Sequence, residues 1–337
     1  MKWIKLLLSF MFTVVLLFEV YTLIAVYTEG NAALPGTFGN FERVRALLAD
    51  DERRDEFSFA VVGDTRGTGT FERIAEALRH EPLSFMVLLG DCVQSGTSGY
   101  HRYFRAEWGE ELVMPLPVFY VVGNHDVDEQ EFPMSQFEKT YGPSIFSFDY
   151  QGHLFIGLNI MGDSYWIKKS IAYLESLLLA CRHDYRKVFV FMHIPPPVFC
   201  DFDDGRELQN SELVALCDRF NIDYLIGGNF HGYSRVKLKN TTYLVAGGGG
   251  AGIRKRRKFG RFHHAIVIKV GPNSVSEQIL FVNKEQDFED VVERFALAEV
   301  YPWMEKNWPL AILLNVGILG ILFWAFRGFL RNRRSHR

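Results

Sequence analysis

The chain has 337 residues, of which 48% are hydrophobic, 15% aromatic and 23% charged. This composition excludes a disordered, collagen-like or low-complexity protein, and the length suffices for one large domain or two small ones. The formal net charge of -3 is unevenly distributed, because basic residues concentrate at both ends while acidic residues outnumber basic ones between residues 28 and 308. Nucleic-acid-binding surfaces usually have the opposite sign, so we expect no nucleic-acid partner.

Two long apolar segments lie near the ends of the chain. Residues 6–27 contain one charge in 22 residues, and residues 309–326 contain none in 18. A membrane-spanning helix needs about 20 mostly apolar residues, so both segments are candidate spans. The alternatives are a cleaved signal peptide for the first, whose apolar run exceeds the usual ~7–15 residues, and a buried core helix for the second. Trp303 and Trp308, just before the second segment, favour a span.

The flanking charges predict how the two segments are oriented. Lys2 and Lys5 precede the first segment, and five arginines follow the second within residues 327–337. Because positive charge favours the cytoplasmic side, we expect a membrane protein with two spans, both termini cytoplasmic and an extracytoplasmic domain between them. Glu19 and Asn315 fall at similar depth on antiparallel spans, which predicts a hydrogen bond from a protonated Glu19 to Asn315.

The apolar segments and the changes in composition divide the chain into six predicted parts. These are an N-terminal transmembrane anchor (1–29), a linker with a short helix (30–56), a central domain (57–285), a juxtamembrane helix (286–308), a second transmembrane helix (309–326) and a basic cytoplasmic tail (327–337). Four cysteines are too few for a disulfide framework in a chain of this size. Cys200 and Cys217 are a candidate pair in an oxidising compartment, which the sequence does not decide.

Apolar runs recur through the central domain. Runs at 57–62, 85–89, 118–122, 188–192 and 222–226 are continuous, which is typical of strands buried on both faces. Helical patterns lie near 71–80, 166–181 and 206–219, and further strands are expected at 153–160, 241–246, 263–270 and 274–282. We therefore predict an α/β fold, a two-layer mixed β-sandwich flanked by helices, with two transmembrane helices in addition.

Polar residues follow the continuous runs at the points where each run ends. They are Asp64, Asp91, Asn124, His125, Asp126, His193 and His231. A single polar residue after a strand is usually a turn or a helix cap, but ligands of open α/β sheets bind at the carboxyl ends of the strands. Carboxylates, an amide oxygen and imidazoles together suit divalent ions such as Mn, Fe and Zn. The set predicts a metal centre, and a carboxylate shared by two ions would make it a phosphoryl-transfer site.

Five motifs resemble those of the calcineurin-like metallophosphoesterase superfamily, in the same order, over about residues 57–282. They read Gly63-Asp64-Thr65-Arg66, Gly90-Asp91-Cys92, Gly123-Asn124-His125-Asp126, Met192-His193-Ile194-Pro195 and Gly228-Asn229-Phe230-His231. The Gly-Asn-His-Asp element is specific, whereas a bare Gly-Asp pair or a single His is not. The resemblance implies that residues 57–285 form a metallophosphoesterase domain.

The resemblance also implies a role for each residue of the site. Asp64 and His231 would bind the first of two divalent metal ions (Mn, Fe or Zn). Asn124 and His193 would bind the second, and Asp91 would bridge both. His125 would act as the acid or electrostatic partner at the leaving-group oxygen, with Asp126 holding its ring. A hydroxide held by the metals would attack phosphorus.

The sequence departs from the superfamily pattern at two positions. Arg66 stands where the first motif often has a His, and Asn229 replaces the first His of the last motif. Arginine has no lone pair to offer a metal, so the first ion loses one ligand, while Asn229 offers the second only a carbonyl oxygen. Arg66 is instead a candidate to bind a phosphate oxygen with its planar fork, the alternative being a solvent-facing or structural arginine.

Other features of the central domain have simpler interpretations. The glycine-rich run 247–252 lacks a nucleotide-binding signature and predicts a tight turn beside the site. The basic run 254–258 is either a solvated cationic loop or a contact for an anionic substrate or lipid headgroup. His263 and His264 are expected at the surface end of a strand, and Cys92 as a small buried residue.

The sequence thus predicts a membrane-anchored, metal-dependent phosphoesterase that hydrolyses a phosphomonoester or phosphodiester with metal-activated water. Its partners would be the lipid bilayer and a phosphorylated small molecule or lipid-linked substrate. Three alternatives stay open: a lipid-headgroup or lipid-linked sugar phosphodiesterase, a nucleotide pyrophosphatase, and a metal-poor binding or scaffold protein that keeps the fold. Arg66 and Asn229 motivate the last alternative, and the intact Asp91, Asn124 and His193 count against it.

Overall fold

The computed structural model describes residues 2–30, 32–39, 41–49, 55–198, 212–253 and 260–334. Two compact units divide the chain. The helical unit comprises Met1–Ala32, Gly99–Ala106 and Phe288–Arg337, and the sandwich unit comprises Ala33–Ser98 and Glu107–Asp287. Cys200, the basic run 254–258 and the first part of the helix predicted at 206–219 lie outside the described residues. Cys217, the candidate partner of Cys200, is buried and is a free cysteine in the described part of the chain.

Two β-sheets form the sandwich unit. Their strands are β1 (Phe57–Val62), β2 (Phe85–Leu88), β3 (Val118–Tyr120), β4 (Phe146–Tyr150), β5 (His153–Gly157), β6 (Val188–Phe191), β7 (Tyr224–Gly227), β8 (Tyr233–Leu238), β9 (Thr241–Ala246), β10 (His263–Val270) and β11 (Val275–Val282). One sheet has the order β11-β10-β1-β2-β3, and the other β4-β5-β6-β7-β9-β8. β1, β2 and β3 run parallel, as do β5, β6, β7 and β9. The predicted mixed two-layer sandwich is confirmed.

Helices flank the sheets and form the ends of the chain. They are α1 (Lys2–Thr28), α2 (Phe41–Ala49), α3 (Thr70–Arg79), α4 (Ser98–Glu110), α5 (Met134–Tyr141), α6 (Ser164–Cys181), α7 (Glu212–Arg219), α8 (Phe288–Phe295), α9 (Tyr301–Lys306) and α10 (Trp308–Arg334). A 3₁₀ turn at Arg182–Asp184 follows α6, and a π-helical stretch at Ala296–Val300 joins α8 to α9. The sequence analysis did not predict α4, α5, β4 or β8, and the single helix expected at 286–308 is interrupted by the π-helical stretch.

Phenylalanine rings fill the space between the two sheets. Phe59 of β1 stacks on Phe85 of β2 with ring centroids 4.9 Å apart. It meets Phe155 and Phe189 of the second sheet edge-on, at 5.4 and 5.3 Å. Because successive side chains of a strand point to opposite faces, the other face of the second sheet packs a separate core against α6 and α7. Burial on both faces explains the continuous apolar runs in the sequence.

The segment before β1 belongs to the sandwich unit. Val44 on α2 is buried in the core between the sheets. Phe38 is also buried, forms an isolated parallel bridge with Val118, and packs against Trp108 with ring centroids 4.5 Å apart. The sequence predicted a linker with a short helix over 30–56. The helix is present, but the apolar side chains on it and before it make the segment part of the folded domain.

In the helical unit, α1 and α10 are long and apolar enough to cross a membrane, over Trp3–Thr28 and Trp308–Arg327. The two helices pack against each other, and the ammonium of Lys5 lies 3.8 Å from the ring centroid of Trp324. The start of α1 therefore lies beside the end of α10, and the pair forms an antiparallel hairpin, as predicted. Asn315 Oδ1 has no hydrogen-bond partner among the described residues, and its predicted hydrogen bond with Glu19 stays a prediction.

Candidate metal centre

Loops at the ends of four strands bring the candidate ligands together. Asp64 follows β1, Asp91 follows β2, His193 follows β6 and His231 follows β7. Carboxyl ends of neighbouring parallel strands meet at one edge of a sheet, so each sheet contributes two of these side chains. One ligand atom each from Asp64, Asp91 and His193 lies within 4.8 Å of the others, and all three residues are buried.

The backbone is left-handed at four residues of these loops. The angle φ is 57° at Asp64, 54° at Asp91, 64° at Asn229 and 48° at His231. Residues other than glycine seldom adopt positive φ, because the β-carbon crowds the backbone, and such residues cluster at functional sites. The chain thus turns sharply as it leaves each of these strands, at a conformational cost that the surrounding structure must hold in place.

Glycines allow the loops to approach one another closely. A β-carbon on Gly247 would lie 2.6 Å from Asp64 Oδ2, and one on Gly123 would collide with the backbone nitrogen of Asp91. The glycine-rich run also packs beside the first motif in space. The Gly249 N–H donates to the Gly63 carbonyl at 2.9 Å. The tight turn predicted beside the site is confirmed, and a β-carbon on Gly249 or Gly250 would collide with the backbone of the first motif.

His193 is fully buried, and both of its ring nitrogens face acceptors. Nδ1 lies 2.7 Å from the Leu89 carbonyl oxygen and donates to it. Nε2 lies 3.2 Å from Asp91 Oδ1. Burial lowers the pKa of His193, but the charge of Asp91 raises it more, to about 9. A divalent ion that binds Nε2 would have to displace the proton from this nitrogen.

The two carboxylates of the cluster differ in their surroundings. Burial raises the pKa of Asp91, but His193, His125 and Arg66 together hold it well below its usual range. Burial raises the pKa of Asp64 to about 8 despite the opposing effect of His193. Neither Asp64 oxygen has a hydrogen-bond partner within the described part of the chain.

A buried carboxylate without partners is costly unless a cation binds it. Asp64 supplies such a carboxylate, and Asp91 and His193 supply a second carboxylate and an imidazole beside it. Oxygen and imidazole donors are those that Mn, Fe and Zn accept. The residues present therefore fit a divalent metal ion.

Arg66 extends into the same cluster. Its Nη2 lies 3.1 Å from His231 Nε2, and its Nη1 lies 3.5 Å from Asp91 Oδ2. Only 10% of the side chain is exposed, so the solvent-facing alternative for Arg66 is wrong. The guanidinium contacts two residues that the resemblance assigned to metal ions, His231 to the first ion and Asp91 to both.

His125 lies at the exposed edge of the cluster, with 39% of its side chain accessible and Nε2 3.9 Å from Asp91 Oδ2. Asp126 was predicted to hold the His125 ring, but the structure gives that ring another partner: Nδ1 lies 3.0 Å from the Gln94 carbonyl oxygen. The buried Asp126 carboxylate instead accepts the backbone N–H groups of Asp91 at 2.8 Å and Gly123 at 2.7 Å. Asp126 therefore fixes the loops that carry the site.

The remaining predicted residues take varied positions. Asn124 is exposed in the turn after β3, and Asn229 is buried beside His231. His263 and His264 were expected at the surface, but both are buried because the glycine-rich run covers them. Burial lowers the pKa of His264 to about 4. Cys92 is buried as predicted, and burial raises the pKa of its thiol.

Sequence analysis missed the groups that orient the imidazoles. The backbone carbonyls of Leu89, Gln94 and Gly252 face Nδ1 of His193, His125 and His231, at 2.7, 3.0 and 3.0 Å. A backbone carbonyl leaves no mark in a sequence. The only available signal was position, since Leu89 and Gln94 flank Asp91 closely and Gly252 ends the glycine-rich run.

Comparison with known proteins gives a matching family model, a protein similar in sequence and solved structures of similar fold. A family model described as calcineurin-like phosphoesterase matches residues 57–233, just over half of the chain. The serine/threonine-protein phosphatase CPPED1 of Bos taurus is 28% identical over 191 residues, which are 48% of this chain and 58% of the relative. The match thus spans less than two thirds of that relative's length.

Two solved structures share the fold. A dimetal phosphatase from Danio rerio superposes with a TM-score of 0.53 at 12% identity, over 68% of this chain and 99% of that chain. GAP50, described as the anchor in the inner membrane complex of Plasmodium, superposes with a TM-score of 0.52 at 13% identity, over 73% and 95%. These likenesses show the fold alone. The family match includes every strand-end loop that carries the cluster, and as the motifs predicted, the chain belongs to the calcineurin-like phosphoesterase family.

Proposed function

We propose that the chain is a membrane-anchored, metal-dependent phosphoesterase that hydrolyses a phosphomonoester or a phosphodiester. The observation that carries the proposal is the buried cluster of Asp64, Asp91 and His193, whose ligand atoms lie within 4.8 Å of one another. Divalent metal bound there supplies a water of lowered pKa, which is a nucleophile at neutral pH. The family match supports phosphoester chemistry at this cluster.

The neighbouring side chains suit the substrate and the leaving group. Arg66 offers N–H groups in a planar fork, which matches the oxygens of a phosphate. His125 is partly exposed, and because Gln94 engages its Nδ1, its Nε2 is directed toward the cluster. We assign to it the proton that the leaving oxygen acquires. Asn124 and Asn229 remain candidate oxygen ligands, and Asp126 positions the loop of Asp91.

Membrane anchoring rests on the hairpin of α1 and α10. Only 6% of each apolar window is buried, whereas a core helix of a soluble protein is mostly buried. Because the helices are antiparallel, Lys2 and Lys5 lie at the same end of the hairpin as Arg327. This arrangement supports cytoplasmic termini and an extracytoplasmic phosphoesterase domain. An anchor of this kind also favours a second candidate function, hydrolysis of a lipid-headgroup or lipid-linked phosphodiester at the bilayer.

The test is hydrolysis of p-nitrophenyl phosphate and bis(p-nitrophenyl) phosphate by the full-length chain in detergent, with Mn²⁺, Zn²⁺ and Fe²⁺ supplied separately. We expect metal-dependent release of nitrophenol, and its loss in Asp91→Asn. Asp149→Asn, at an exposed carboxylate of β4, is the matched control and should keep the wild-type rate. Absence of hydrolysis with every metal, or a wild-type rate in Asp91→Asn, would contradict the proposal. Faster turnover of a phospholipid in vesicles than of either ester would select the second candidate.

A further inference from the structure

The superfamily pattern predicts two metal ions, but the position of Arg66 conflicts with one of them. We propose that the guanidinium of Arg66 takes the place of one ion, so that the site binds a single divalent cation. The inference depends on the proposed function only in that Asp64, Asp91 and His193 bind metal.

Both ring nitrogens of His231 already have hydrogen-bond partners. Its Nε2 lies 3.1 Å from Arg66 Nη2, and arginine has no acceptor, so Nε2 must accept this hydrogen bond with its lone pair. Its Nδ1 lies 3.0 Å from the Gly252 carbonyl oxygen, which can only accept, so Nδ1 carries the proton. The lone pair that would bind a metal ion instead accepts a hydrogen bond from Arg66.

The guanidinium of Arg66 also places a positive charge at that position. Besides His231, the guanidinium contacts Asp91, with Nη1 3.5 Å from Oδ2. Asp64 Oδ1 lies 3.4 Å from His231 Nε2, so this carboxylate is near both His231 and the cluster of Asp91 and His193. A divalent ion bound by these three residues would share them with a buried positive charge. Like charges repel strongly where water is excluded, and the guanidinium nitrogens cannot act as ligands.

The carboxylate of Asp91 also faces His193, away from the arginine. The two oxygens of this carboxylate face different partners: Oδ2 faces Arg66, and Oδ1 lies 3.2 Å from His193 Nε2. On the His193 side, ligand atoms of Asp64, Asp91 and His193 lie close enough to share one ion. Three protein ligands leave further coordination positions for water and substrate, which is typical of a catalytic metal site. The geometry thus divides the cluster into a metal side and an arginine side.

The experiment counts metal ions on the full-length chain. Protein in detergent is equilibrated with Mn²⁺, and bound metal per chain is measured by elemental mass spectrometry alongside the electron paramagnetic resonance spectrum. We expect one Mn²⁺ per wild-type chain, with the hyperfine-split signal of an isolated ion. Arg66→His removes the cation and adds an imidazole, so it should bind two ions that are magnetically coupled through Asp91.

Two further variants locate the added ion. His231→Ala should keep the single ion in the wild-type background but abolish the gain in the Arg66→His background. Arg219→His, at an exposed arginine of α7, is the matched control for a new imidazole and should bind one ion.

Two ions on the wild-type chain, or none, would overturn the inference. So would a single ion on a folded Arg66→His chain, with folding checked by circular dichroism. If Arg66→His fails to fold, the wild-type count and its spectrum decide. Hydrolysis is measured separately. If wild type binds one ion and Arg66→His binds two, but neither chain cleaves either ester, the inference is supported and the proposed function is contradicted. An active wild-type chain with two coupled ions does the reverse.

Discussion

The interior of a strand and its carboxyl end bury very different groups in this protein. Phe59, in the middle of β1, is fully buried among aromatic rings of both sheets. Asp64, five residues along, is equally buried, but it is a carboxylate with positive φ and has no hydrogen-bond partner in the described part of the chain. Burial stabilises the first residue and destabilises the second. The strand interiors thus supply the stability that allows the strand ends to hold groups suited to chemistry.

If this contrast is correct, changes at strand ends should alter catalysis and leave the fold intact. The largest expected effect is that of His125→Ala, which should lower kcat by about 10²–10⁴, the typical contribution of a general acid. Metal content and melting temperature should not change, because the ring is partly exposed and, within the described residues, its contacts are with the Gln94 carbonyl and the edge of the cluster. His183→Ala, at an exposed histidine, is the control. Wild-type turnover in His125→Ala would show that His125 takes no part in the reaction.

The converse change is made in a strand interior. Phe59→Ala should lower the free energy of unfolding by about 3–5 kcal/mol, because it leaves a cavity between the sheets. The metal content of the remaining folded chain should be unchanged. Urea denaturation measures the first quantity, and Phe281→Ala, at an exposed ring of β11, is the matched control. A loss as small as that of the control would contradict the contrast between core and site.

A smaller effect is expected where a strand-end residue binds substrate without binding metal. Arg66→Lys keeps the positive charge but loses the planar fork. Losing one charge-assisted hydrogen bond costs about 1.5–3 kcal/mol, so kcat/KM should fall about 10- to 100-fold. Arg45→Lys, at an exposed position of α2, should have no effect. Unchanged kinetics of Arg66→Lys on both esters would show that the arginine does not contact phosphate.

The smallest effect concerns left-handed backbone away from the site. Gln151 and Gly152 join β4 to β5, and both have positive φ, at 51° and 77°. A two-residue hairpin loop of this kind favours Asn-Gly. Gln151→Asn should therefore raise the free energy of unfolding by about 1 kcal/mol or less, because Asn tolerates left-handed backbone better, and it should leave activity unchanged. A lower free energy of unfolding would contradict the idea that left-handed backbone at Gln151 is strained. Lower activity would show that this turn affects the site.

Much of the fold was predictable because the strand interiors are so uniformly apolar. β9 and β10 have the predicted bounds, 241–246 and 263–270, since each is a continuous run between polar or glycine-rich segments. β4 was missed although Phe146–Tyr150 alternates buried and more exposed side chains, which is itself a strand signal. β8 was missed because its side chains are mostly polar and exposed at the edge of a sheet.

The site was predictable as a set of residues but not as a set of contacts. Each motif residue follows an apolar run, so the sequence indicates which side chains share an edge. It could not show that Arg66 contacts His231, which lies 165 residues away. Nor could it show that Asp126 binds backbone N–H groups, because those groups are brought to it by the fold and have no sequence signal.

The strand β3 lies last in its sheet, and its outer edge is covered by the chain that precedes the family match. The Val118 N–H donates to the Thr37 carbonyl at 2.8 Å, and Phe38 forms a bridge beside it. A truncated chain starting at Phe57 would bare this edge, and unpaired edge strands template aggregation. A chain starting at Ala33 would retain the cover. The phosphoesterase domain therefore begins upstream of the position that its motifs suggest. A fragment designed to be soluble should begin near Ala33 and not at Phe57.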